Sequence, residues 1–140
     1  MGLDIQPQTA VAYLGDFTGS TGTELPCFAA EVACRIVAID LLDITGVTAH
    51  ASNYGTATVE NKGTTGSGTT SVAARSTDTV STDDIDTFAA WAITLSTTEA
   101  NLEIAAGESL SFAWTEAGTG QDLGGAAIVI HYAVGSGAGN

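Results

Sequence analysis

The residues best suited to chemistry are acids. Asp78, Asp83, Asp84 and Asp86 lie within eleven residues, Ser76–Asp86. Hard cations take several oxygen ligands, so such a cluster has the composition of a calcium loop. The EF-hand order is absent, however, since the run lacks a mid-loop glycine and a terminal bidentate glutamate. A solvated acidic loop is the favoured reading. His50 and His131 alone titrate near neutrality, and neither stands in a signature with a nucleophile. His131 falls in a strand-like segment and reads as structural. Cys27 and Cys34 have no CxxC spacing, which speaks against zinc and redox roles and for small, buried, reduced side chains. The Gly-rich run 63–69 follows Lys62, whereas a phosphate-binding loop needs Gly-Lys-Ser/Thr at the start of a helix.

No Gly-x-Ser-x-Gly elbow, His-Glu-x-x-His helix or catalytic cysteine signature occurs. Carboxylate pairs assembled by the fold are invisible at this level. The expectation is a protein without catalysis, cofactor or metal. Trp91 and Trp114 have the chemistry of a sugar-stacking platform, which keeps a carbohydrate-binding or host-adhesion module as the competing function. Each shares a strand face with other apolar residues, so core filling is the simpler role. Tyr54, in the turn-like Ser52-Asn53-Tyr54-Gly55, is the more exposed aromatic.

The elements that must position these groups are strands. The chain has 140 residues, 44% hydrophobic and 14% charged, enough apolar matter for one core and too short for a second full domain. Sixteen acids against three bases give a net charge of −13, which repels nucleic acid and anionic membranes. Ala, Thr, Gly and Ser dominate, a composition suited to a pleated surface and its turns. No apolar stretch reaches membrane-spanning length. The segment Met1–Pro7 has neither a basic region nor an apolar run, so a product made and kept on the cytoplasmic side is expected. Gln6 stands where a myristoylation motif needs Ser or Thr.

Along the chain, β-branched enrichment makes 32–44 a strand, and 56–61 alternates before the Gly-rich loop. Residues 88–95 place Trp91, Ile93 and Leu95 on one face. Ser109–Thr115 puts Leu110, Phe112 and Trp114 inward, entered by the turn Ala106-Gly107-Glu108. In 127–134 both faces are apolar, as in a strand covered twice or lying at a subunit contact. Short strands punctuated by turns, with no helix-period segment, predict an all-β antiparallel sandwich or jelly roll.

This gives a sandwich domain over 32–134. Residues 1–31 are an extended N-terminal arm or a first strand plus loop, and 135–140 a flexible tail. On pattern alone, Tyr13, Leu14, Phe17 and Leu25 are isolated apolar side chains among turn formers, the residue types an arm needs to dock on a neighbouring subunit surface.

The order Asn53-Tyr54, Thr58-Val59-Glu60-Asn61-Lys62-Gly63, Gly66-Ser67-Gly68-Thr69, Ala105-Ala106-Gly107-Glu108-Ser109-Leu110 and Gly118-Thr119-Gly120 resembles small capsid-decoration (cement) proteins of tailed bacteriophages. Glu108 stands where that group carries Asp, and the acidic loop 78–86 has no counterpart. The resemblance covers about 32–134. It implies a structural virion protein, made in the host cytoplasm and placed on the capsid exterior. Its implied partner is the major capsid protein, bound by homotrimers at local threefold positions without nucleic acid or membrane.

Overall fold

The computed structural model describes residues 5–19 and 22–135. Its strands are β1 (Ile5–Phe17), β2 (Glu24–Ala29), β3 (Cys34–Leu42), β4 (Gly55–Gly63), β5 (Thr70–Ser76), β6 (Trp91–Ala92), β7 (Glu103–Ile104), β8 (Ser109–Glu116) and β9 (Leu123–Gly135). One 3-10 turn, Glu99–Leu102, precedes β7. Among the described residues no helix is long and apolar enough to cross a membrane.

Pairing is antiparallel and nested. β4 pairs with β5, β3 with β6 and β7, β2 with β8, and β1 with β9. A long hairpin rolled up in this way gives two sheets, ordered β1-β9-β3-β6 and β2-β8-β4-β5, which is the jelly-roll arrangement. The core lies between them. Ile128 and Ile130 of β9 and Leu110 and Phe112 of β8 have no exposed surface. Phe17 meets Phe112 edge to face at 5.4 Å, a geometry that adds about 0.5–1.5 kcal/mol to the burial itself.

The alternation read in 56–61 and 109–115 places Ala57, Val59, Leu110, Phe112 and Trp114 inside. Ser111 and Ala113, on the opposite face of β8, are buried as well. Lys62 explains part of this: its ammonium lies 3.0 Å from Glu24 and 3.3 Å from Glu60, and Ser111 donates to Glu24 at 3.2 Å. The segment 88–95 departs from a full strand. Only Trp91–Ala92 pairs with β3, after which the chain crosses to the other sheet, where Leu95 bridges Ala73. Its facing holds, with Trp91 and Ile93 buried.

The N-terminal segment belongs to the sandwich instead of leaving it as an arm. β1 is the edge strand of one sheet and β2 the edge strand of the other. A bulge explains its misleading pattern. The register of β1 shifts on both sides of Gly15, whose φ is +79°, so Leu14 and Phe17, three apart, both turn inward. Of the tail 135–140, residues 136–140 lie outside the described residues.

Candidate functional site

The connections gather at two poles. The segments 18–19, 43–54, 77–90 and 117–122 meet at one, where Gly19 N donates to Asp122 Oδ1, Val47 bridges Ile85, His50 N donates to Thr77 O and Thr119 N donates to Asn53 Oδ1. The turns 30–33, 64–69 and 105–108 meet at the other, beside the paired ends Ile5 and Gly135.

The motifs that carry the sequence resemblance are joined across space, one coupling at each pole. At the loop pole Asn53 Oδ1 accepts from Thr119 N at 3.0 Å, and Tyr54 O accepts from Ala117 N at 2.8 Å. Glycine is required here: a Cβ on Gly118 would lie 2.3 Å from Asn53 Oδ1, and one on Gly120 2.7 Å from Tyr54 O. At the other pole Asn61 Nδ2 donates to Glu108 Oε2 at 2.8 Å, and the same oxygen accepts from Ala105 N at 2.8 Å. Gly68 N donates to Lys62 O at 3.0 Å, folding the Gly-rich loop back on β4. This loop is a tight connection between two strands.

The loop pole is acidic. Asp43, Asp78, Asp83, Asp84, Asp86 and Asp122 all sit in its connections. The four acids of the 78–86 loop are splayed, not convergent. Asp83 takes Arg75 at 2.8 Å, Asp84 accepts from Ala49 N at 2.7 Å, and Asp78 and Asp86 are exposed. Arg75 holds the Asp83 carboxyl below its usual range. Among the described residues no group of three His, Cys, Asp or Glu is placed to hold a metal ion. Asp43, fully buried, accepts from Gly124 N at 2.7 Å and from Thr45 at 2.9 Å, tying the loop after β3 to the start of β9. Phe88 (72% exposed, φ +60°) and Val80 project from the same pole.

The four candidate anchors are separated by the fold. Leu14 and Phe17 are buried in the chain's own core, and Leu25 is half-buried against it. These three side chains are used internally, which corrects their assignment as docking anchors. Tyr13 is 89% exposed and free to make contacts. The tryptophans offer no stacking platform. Trp114 is buried and donates to Gln121 O at 3.1 Å, and Trp91 is buried beneath the Arg75 guanidinium, 4.5 Å from the ring centre. Tyr54 is half-buried. His131 lies 3.2 Å from Asp40 and His50 accepts from Ser52 N and Asn53 N, both structural contacts. The cysteines are free and buried; burial pushes Cys27 up to about 12 and raises Cys34 as well.

A cleft of about 410 Å³ opens at the pole of the strand ends, its lining including Gln8, Phe28, Glu31, Cys34, Tyr132 and Val134. Phe28 and Tyr132 meet edge to face at 5.0 Å in its wall. Nothing in the sequence marks it, because its residues come from β1, β2, β3, β9 and the loop between β2 and β3.

No protein-family model matches the chain. No curated protein matches it. Among solved structures it is similar to a chain in the structure of infectious bursal disease virus, Gx strain, with a TM-score of 0.38 and 17% identity. The match covers 94% of this chain and 32% of that one, so the present chain spans about a third of its length.

Proposed function

We propose that the chain is a structural virion protein, a capsid-decoration or cement protein of a tailed bacteriophage that binds the outer surface of the head and braces contacts between major capsid subunits. One observation carries the reading. The five sequence motifs of the resemblance, scattered from Asn53 to Gly120, include two long-range couplings, Asn53 with Thr119 and Asn61 with Glu108. Motifs that hold one another in space behave as one framework, which a chance succession of Gly-rich turns does not require.

In this reading the protein has no catalytic step and needs no cofactor. Its acidic pole, with Phe88 and Val80 projecting, faces a basic, partly apolar patch on the head, and many copies add modest contacts through the lattice. Negative charge keeps the protein off the packaged genome.

The test is cryo-microscopy of native particles combined with add-back of purified protein to undecorated heads. Density for the jelly roll outside the head, and heads that resist heat better once it is added, are expected. Absence from the shell, with strong binding of the isolated chain on a glycan array, would overturn the reading in favour of an adhesion module.

A further inference from the structure

Three of the four sheet edges carry a device that stops further pairing. β2 has Pro26 and a register break between Pro26 and Phe28. β5 is covered by the crossing segment, with Ala74 N donating to Thr94 O at 2.9 Å and Ser96 N to Val72 O at 2.8 Å. The far edge of the other sheet ends in β6 and β7, two residues each.

β1 differs. It runs 13 residues, with β9 along one side and, among the described residues, no strand along the other. Pro7 and the bulge at Leu14–Gly15 bound a regular stretch, Gln8–Tyr13. Residues 5–15 carry no charged side chain in a chain of net charge −13. Val11 is 55% and Tyr13 89% exposed.

An edge of this kind is a template for another strand. Charge decides which one. A basic partner gains nothing from an uncharged edge, whereas two bodies that each carry −13 approach without close repulsion only where neither presents a charge. Antiparallel pairing of β1 with β1 sets one uncharged stretch on the other and closes after two copies. We propose that two copies of this chain pair through β1, continuing the sheet β1-β9-β3-β6 across a two-fold axis. This inference does not rest on the capsid reading, and it departs from the homotrimer that the resemblance implies.

The experiment is sedimentation equilibrium of the full chain with hydrogen exchange at low and high protein concentration. The expected mass is twice 14.0 kDa, with those amides of Gln8–Tyr13 that point away from β9 protected only at high concentration. Val11→Lys places like charges near each other across the axis and weakens association by about tenfold or more. Thr9→Lys does the same should Val11→Lys lose its native circular dichroism. Val37→Lys, equally exposed but on β3, leaves association unchanged. A monomer at every concentration, a trimer, a dimer untouched by both β1 variants, or equal loss with Val37→Lys would overturn the proposal. None of these results bears on attachment to heads.

Discussion

Asn61 and Glu108, 47 residues apart in the chain, are joined by a hydrogen bond of 2.8 Å that ties the end of β4 to the turn entering β8. Glu108 Oε2 also accepts from Ala105 N, and Asn61 Oδ1 accepts from Gly63 N at 2.8 Å, so the pair organises both turns at that pole. Glu108→Ala leaves two donors without their acceptor and should cost about 1–3 kcal/mol. Glu108→Asp, shorter by one methylene, should fall between wild type and alanine. Urea unfolding reads this as lower midpoints at constant slope, and the Asn61→Ala, Glu108→Ala double variant should lose less than the sum of the singles.

Gly55 is the one strand glycine pressed against an indole. A Cβ there would lie 1.9 Å from Trp114 Cζ2. Replacing glycine by alanine in a strand ordinarily gains stability, about 0.5–1 kcal/mol. Here Gly55→Ala should destabilise by about 1–3 kcal/mol through overpacking, with a shifted tryptophan emission.

Arg75 holds three groups at once: Asp83 Oδ1 at 2.8 Å, Ala92 O at 2.8 Å and the Trp91 ring at 4.5 Å. A lysine keeps the charge and loses the fork, so Arg75→Lys should cost about 1–2 kcal/mol and speed hydrogen exchange in 77–90. Because Arg75 lowers the Asp83 pKa from 3.8, that stabilisation is present above 3.8 and disappears as pH falls through the folded value. The difference between wild type and Arg75→Lys should therefore shrink in acid.

Glu116 has the opposite sign. Burial first, and then the neighbouring Asp122, raise its pKa above 4.5, and its Oε2 is buried without a hydrogen-bond partner. A raised carboxyl favours the fold below its unfolded pKa, and this benefit is lost as pH rises through the folded one. Glu116→Gln should raise the melting temperature at neutral pH, and the gain should vanish below pH 4.5.

The thiols should be silent in the native state. With Cys27 raised from 9.0 to about 12 by burial, neither cysteine should react with a thiol reagent at neutral pH until the chain unfolds. Stability contributed by the neutral Cys27 thiol is full below pH 9.0 and falls as pH climbs toward about 12. Cys27→Ala should flatten that alkaline decline.

What the sequence revealed depended on period. Leu110, Phe112 and Trp114 keep strict alternation and were legible as one inward face. Bulges erased the same signal elsewhere. Leu14 and Phe17 straddle Gly15, and Ile36 and Ile39 straddle a register shift in β3, so residues three apart share a face that alternation would split. The acidic loop was legible as composition, but the turning of Asp83 to Arg75 and Asp84 to Ala49 N required the fold. So did the bond between Asn61 and Glu108. Its two residues become neighbours only because nested pairing sets β4 beside β8.

The nested order also dictates a timetable. β9 lies between β1 and β3, and Ile5 finds its neighbour in Gly135, so β1 leaves a ribosome with no place to settle until β9 has been made. Truncation before Leu123 would therefore remove the middle of a sheet and strand β1 altogether, leaving a sticky ribbon with a single charge instead of a slightly shorter protein.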